Sequence, residues 1–350
     1  MPYFDNDGCQ LHYEDYGHGA PLLLVHGLGS STRDWEYQIP VLARHYRVLA
    51  LDVRGHGRSD KPREAYHIAD FAEDVAALIE HLQLPPVHLV GISMGGMIGF
   101  QLGVDRPELL RSLTIVNSGP EVKAKSARDW LEIGKRWTLS RLLSLETIAR
   151  ALGKLLFPKP EQADLRRKIE ERWPQNDKRA YLASLDAIIG WGVRERLQRI
   201  TCPTLVISAD RDYTPIEHKQ AYVTELPDAR LQVIDNSRHA TPLDQPQRFN
   251  SSLLALPGGA PLDQCGQNGC GGIDPGEHIR HRHAHLLRLA IGLACHAHQS
   301  GHALDDEVIA RAMGIGAGLP ETSDGTVNQP GVQLLQGRPV EAVFDQTTHL

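Results

Sequence analysis

Continuous apolar runs recur along the chain at "PLLLVHG" (21–27), "YRVLALD" (46–52), "VHLVGIS" (87–93), "LRSLTIVNS" (110–118) and "PTLVISAD" (203–210). Short runs with little polar alternation suit strands that are buried on both faces. "QLHYEDY" (10–16) and "ARLQVID" (229–235) extend the series. Between several of these runs lie helical patterns such as "IADFAEDVAALIEHL" (68–82), which sets alanine and leucine three and four residues apart. The alternation predicts an α/β fold: a mostly parallel sheet with helices on both faces.

The rhythm breaks between about 120 and 197. Charged amphipathic helices dominate there, and four of the five tryptophans fall in the stretch (Trp130, Trp137, Trp173, Trp191). We expect a helical lid, inserted into a domain spanning residues 1–257 and roofing the ligand-binding edge of its sheet. Buried aromatics serve packing first, so the tryptophans are equally suited to holding the insert to itself. The rhythm resumes and ends in a helix expected at 247–257, closed by Pro257.

Beyond it the composition changes. Residues 258–350 hold no lysine, tryptophan or tyrosine, but 15 of the 32 glycines and 8 of the 18 histidines. A stretch with so little to bury is expected to be a poorly ordered tail without catalytic duty. Its cluster "HIRHRHAH" (278–285) lies near Cys265 and Cys270, but no second pair at regular spacing completes a zinc pattern, and no metal site is expected.

Composition narrows the partners. The 350 residues are 41% hydrophobic, enough for a sizeable core, and the net charge of -6 has no long acidic or basic run behind it. Neither nucleic acid nor an anionic membrane is expected as a partner, and a small neutral substrate is. The start "MPYFDNDGCQ" lacks the basic and apolar segments of a secretion signal, and no run reaches the roughly 20 apolar residues of a spanning helix, so a cytoplasmic location is expected. The five cysteines fit no disulfide framework and are read as reduced thiols. Composition says nothing of oligomeric state.

The chemistry concentrates in "HLVGISMGGMIGF" (88–100), where Ser93 stands between Gly91, Gly95 and Gly96. Glycines at those offsets permit a sharp turn in which a strand and the following helix pass closely, leaving a serine hydroxyl exposed at a helix N-terminus. Serine nucleophiles need a base, an acid that orients the base, and donors for the oxyanion. His239, in the loop between the last strand and the last helix, is the expected base. Asp210 and Asp212 both follow "PTLVISA"; Asp212 is the preferred acid because two more residues carry the chain toward the histidine loop, and Asp210 is left to cap that loop. The amides of Met94, after the serine, and Leu28, in "VHGLGSS", are the expected oxyanion donors. His26 and His56 are assigned to structure.

Taken together, "HGLG" (26–29), "DVRGHGRSD" (52–60), "GISMGG" (91–96), "DRDYTP" (210–215) and "RHATPLDQP" (238–246) resemble, in order, the segments of the α/β-hydrolase superfamily over about residues 1–257. One departure is that the loop before Pro215 is a residue short of the family pattern. The resemblance implies the α/β-hydrolase fold, no cofactor, and hydrolysis of a small carboxylic ester by Ser93, Asp212 and His239, with ester and water as the partners. Serine at 93 argues against dehalogenases and epoxide hydrolases, whose elbow carries aspartate. Ala240 after the histidine departs from the tryptophan common in carbon–carbon bond hydrolases of aromatic breakdown. Enol-lactonase or carbon–carbon bond hydrolase activity in aromatic breakdown, cofactor-free perhydrolase activity, and a slow-turnover ligand sensor on the same fold are the alternatives.

Overall fold

The computed structural model describes residues 2–256. The expected tail, its histidine cluster and Pro257 lie outside the described residues. Eight strands form the sheet: β1 (Tyr3–Asn6), β2 (Cys9–Tyr16), β3 (Pro21–Val25), β4 (Arg47–Leu51), β5 (Val87–Ile92), β6 (Leu110–Val116), β7 (Thr204–Ala209) and β8 (Ala229–Ile234). Their order is β1-β2-β4-β3-β5-β6-β7-β8, antiparallel at β1–β2 and β2–β4 and parallel thereafter. All seven runs are strands. β1 was not foreseen, although the turn at Asp7 and Gly8, both at positive φ (51° and 81°), is a strong hairpin signal.

β3 and β7 are buried along their whole length, and the sheet separates two apolar layers. On one side lie the helices Ile68–His81 and Met94–Asp105. On the other, Trp35, Leu42, Phe249 and Leu253 pack beneath Leu22, Val48 and Ile207. The last helix runs Pro246–Leu254. Parallel strands placed in this way leave their C-terminal ends, and the loops that follow them, at one edge of the sheet, where open α/β sheets bind ligands.

The insert comprises four helices, Ala127–Leu142, Leu145–Leu156, Ala163–Arg172 and Lys178–Ile188. Two are started by serines whose hydroxyls accept from the backbone three residues on: Ser126 from Asp129 and Ser144 from Thr147. Two of the four tryptophans tie the insert to the sheet domain, and one of them, Trp173, also meets Tyr181 within the insert. The Trp173 ring sits against Gly29, and Trp191 Nε1–H donates to Gln101 on the helix after β5 at 2.8 Å. Trp137 does bind within the insert, to Asp186, whereas Trp130 is 63% exposed. Among the described residues no helix is long and apolar enough to cross a membrane.

Candidate active site

Ser93 stands between β5 and the helix Met94–Asp105 at φ 54° and ψ -118°, a conformation that side-chain-bearing residues rarely adopt. Its surroundings hold it there. A Cβ on Gly91 would collide with the Gly95 carbonyl, one on Gly95 with the Val25 carbonyl, and one on Gly96 with Ser118. The Ser93 amide donates to Val116 O (2.9 Å), and the Ser118 hydroxyl donates to Ser93 O (2.7 Å). The end of β6 therefore braces the turn from one side and the end of β3 from the other.

The expected oxyanion loop follows β3 directly. A Cβ on Gly27 would lie 3.2 Å from Ser93 Cβ, so this backbone runs alongside the serine. Among the described residues the amides of Leu28 and Met94 donate to no other group. His26 and His56 are fully buried behind the loop. His26 Nδ1–H donates to Gly27 O (2.8 Å) and its Nε2 accepts from the Val53 amide (3.1 Å), which ties the loops after β3 and β4 together. Burial pushes the pKa of both imidazoles down, that of His56 to about 3, in keeping with neutral, structural rings.

His239 Nδ1 lies 2.7 Å from Asp212 Oδ1. Asp210 turns the other way and accepts from the Ser237 amide at 2.8 Å, holding the same loop by its backbone. Asn117, at the tip of β6, donates to His239 O and to Thr241 Oγ1 (2.8 Å each) and accepts from Ala209 N (2.8 Å), so one amide side chain joins the ends of β6 and β7 to the histidine loop.

Three residues not singled out in the sequence join the site. The first is Lys219, fully buried, whose ammonium is 2.6 Å from Asp212 Oδ2 and 2.9 Å from Thr214 O. Burial alone would raise the Asp212 pKa, but His239 and Lys219 outweigh it and hold the carboxyl below its usual value. Its only signal in the sequence is its place three residues before Tyr222 on the helix Ile216–Val223.

The second is Tyr213. Its ring lies over the His239 ring, with centroids 4.0 Å apart, and its hydroxyl is 2.5 Å from His239 Nε2. Because Nδ1–H is committed to Asp212, Nε2 is the acceptor and the phenol is the donor. Burial raises the phenol well above its usual pKa; the Arg136 charge and a hydrogen bond with Ser93 act in the opposite direction. The tyrosine hydroxyl thus stands between Ser93 and the imidazole nitrogen that faces it.

The third is Arg136, on the insert helix Ala127–Leu142, whose buried Nε has no hydrogen-bond partner among the described residues. A separate polar cleft lined by Gly29, Asp34, Arg58, Arg172, Trp173 and Asn176 abuts the same loop as Leu28, but neither Ser93 nor His239 lines it. Among the described residues no group of three or more histidine, cysteine and acidic side chains is placed to hold a metal ion.

A strained serine after the central parallel strand β5, with a buried aspartate after β7 and a histidine after β8, defines the α/β-hydrolase architecture. Residues 20–144 match the family model described as alpha/beta hydrolase fold. The chain is 31% identical over 264 residues to a candidate carbamate hydrolase, RutD, of Azorhizobium caulinodans, covering 74% of this chain and 98% of that protein. It is 30% identical over 252 residues to 3-oxoadipate enol-lactonase 2 of Acinetobacter baylyi, covering 70% and 92%. The solved esterase of Exiguobacterium antarcticum aligns with a TM-score of 0.66 at 25% identity, over 71% of this chain and 95% of that one. The chain belongs to the α/β-hydrolase superfamily and is a hydrolase of that family.

Proposed function

We propose that this hydrolase cleaves a small carboxylic ester, open or cyclic, through an acyl-enzyme on Ser93. The observation that carries the reading is the Asp212–His239 pair at 2.7 Å beside a serine held at φ 54° with two uncommitted amides next to it. His239 Nε2 takes the Ser93 proton as Oγ forms a bond to the acyl carbon. The Leu28 and Met94 amides receive the oxyanion, and Asp212 keeps the imidazole in the required tautomer. The ester C–O bond then breaks, and the alcohol leaves with the proton from His239. Water repeats the sequence and releases the acid and free Ser93. The names of the relatives, an esterase, an enol-lactonase and a carbamate hydrolase, share an acyl carbon bearing a heteroatom leaving group, and this supports acyl transfer over other chemistries.

For this sequence the Tyr213 hydroxyl must leave Nε2 before Ser93 can use it. That contact favours one second reading, a slow-turnover ligand sensor. Incubation with a fluorophosphonate, with mass-spectrometric mapping and p-nitrophenyl acetate and butyrate turnover beside a Ser93→Ala control, tests both. Labelling confined to Ser93 with multiple turnovers is the expected result. Full activity in Ser93→Ala would end the proposal, and labelling without turnover would favour the sensor.

A further inference from the structure

Arg136 stands out, among the described residues, as the arginine with a buried nitrogen and no acceptor for it. Two of its neighbours on the helix are matched: Lys135 pairs with Glu132 at 2.9 Å and Arg141 with Asp186 at 2.8 Å. Arg136 joins no such pair among the described residues, and its Nε is buried without an acceptor. A buried guanidinium N–H left without an acceptor is costly, and native structures supply the missing partner from the protein, from solvent or from a ligand.

Its place on the insert says where such a ligand would lie. The helix Ala127–Leu142 packs on the helix Lys178–Ile188, and Ser140, one turn beyond Arg136, is fully buried. Tyr181 on the second helix is buried and meets the Trp173 ring at 5.7 Å, and Trp173 in turn covers Gly29 beside the Leu28 amide. After burial, the Arg136 charge is the largest influence on the ionisation of both Tyr181 and Tyr213. Tyr213 is the residue stacked on His239. Arg136 therefore lies within electrostatic reach of Tyr213, on an insert helix that packs on the helix carrying Tyr181. Below it, Lys219 and Asp212 neutralise each other at 2.6 Å.

We infer that Arg136 is a substrate-recognition residue for a carboxylate, so that the ester cleaved by Ser93 carries a free carboxylate group on its acyl or alcohol part. This deepens the hydrolytic reading above and rests on it. Arginine suits the task because its planar fork binds a carboxylate through two parallel hydrogen bonds. The overall negative charge of the chain, which points to a neutral substrate, is a sum over the surface and does not describe this recess.

The test compares p-nitrophenyl butyrate with mono-p-nitrophenyl glutarate, which adds a terminal carboxylate to a similar acyl chain. Wild type is expected to favour the anionic ester by about tenfold or more in kcat/KM, chiefly through KM, the scale of a charge-assisted hydrogen-bonded pair. Arg136→Gln is expected to collapse that ratio toward one, and Arg136→Lys to retain part of it. Turnover of both esters by wild type without preference would overturn the inference while leaving the esterase reading intact. Glutarate binding, read as a rise in melting temperature, does not need turnover. A rise in wild type that is lost in Arg136→Gln supports the carboxylate site even if neither ester is cleaved; equal shifts in both proteins, or none, refute it.

Discussion

The Tyr213 hydroxyl lies 2.5 Å from His239 Nε2, on the nitrogen that must receive the Ser93 proton in the proposed reaction. The resting site therefore holds its base with both ring nitrogens engaged, Nδ1 by Asp212 and Nε2 by the phenol. Removing the hydroxyl while keeping the stacked ring separates occupancy from shape. Tyr213→Phe is expected to raise the rate of Ser93 labelling by a fluorophosphonate about two- to tenfold, the equivalent of one hydrogen bond's net contribution. A fall in rate would instead place the phenol among the proton-handling groups.

Lys219 and Asp212 form an ion pair with both side chains fully buried. Removing one member of such a pair leaves a charge without its counter-ion, at a cost of about 3–5 kcal/mol. Lys219→Met is therefore expected to lower the urea midpoint strongly and to slow Ser93 labelling, because Asp212 loses the contact that holds its second oxygen. A variant with wild-type stability would show that the pair contributes nothing net.

Asp244 gives a pH signature. It accepts from Ser237 Oγ at 2.8 Å and from the Arg238 amide at 2.7 Å, just before His239. Burial, outweighing these bonds, lifts its pKa to about 6. Unfolded, the carboxyl titrates near the usual value of about 3.9, so between these two pH values the folded chain binds more protons than the unfolded one. The contribution to stability is thus complete below about pH 4 and lost as the pH rises through about 6, roughly 2 kcal/mol after allowance for partial exposure. Asp244→Asn is expected to flatten the fall in urea midpoint between pH 4 and 6. An unchanged slope would assign that titration to another group.

Much of the architecture was legible because it is written in local patterns. Strands buried on both faces read as unbroken apolar runs, and the five runs of that kind are strands, as are the two more polar runs that become β2 and β8; β1, at the sheet edge and short, lacks that signature. The nucleophile turn was legible for a related reason. Gly91, Gly95 and Gly96 are required by backbone passing backbone within a few residues, and that requirement leaves a spacing. His239 was found by its place in the order of elements, between the last strand and the last helix.

Tyr213, Lys219 and Arg136 left no comparable mark, because each is defined by what lies across the fold from it. Tyr213 meets a histidine 26 residues away, and only the packing of the loops after β7 and β8 brings the two together. Lys219 sits in the helix Ile216–Val223 and is buried because Asp212 is there to receive it. Arg136 is one of many arginines in a charged insert until that insert is laid over the sheet, and only then is it the one whose Nε is buried without an acceptor. By itself, then, the sequence determined seven of the eight strands, the strained serine and the candidates for base and acid, since periodicity and glycine spacing act over a few residues. The tertiary structure alone decided the order of strands in the sheet, which groups occupy the histidine and support the aspartate, and which arginine nitrogen is buried without an acceptor, because those contacts join segments that only packing brings together.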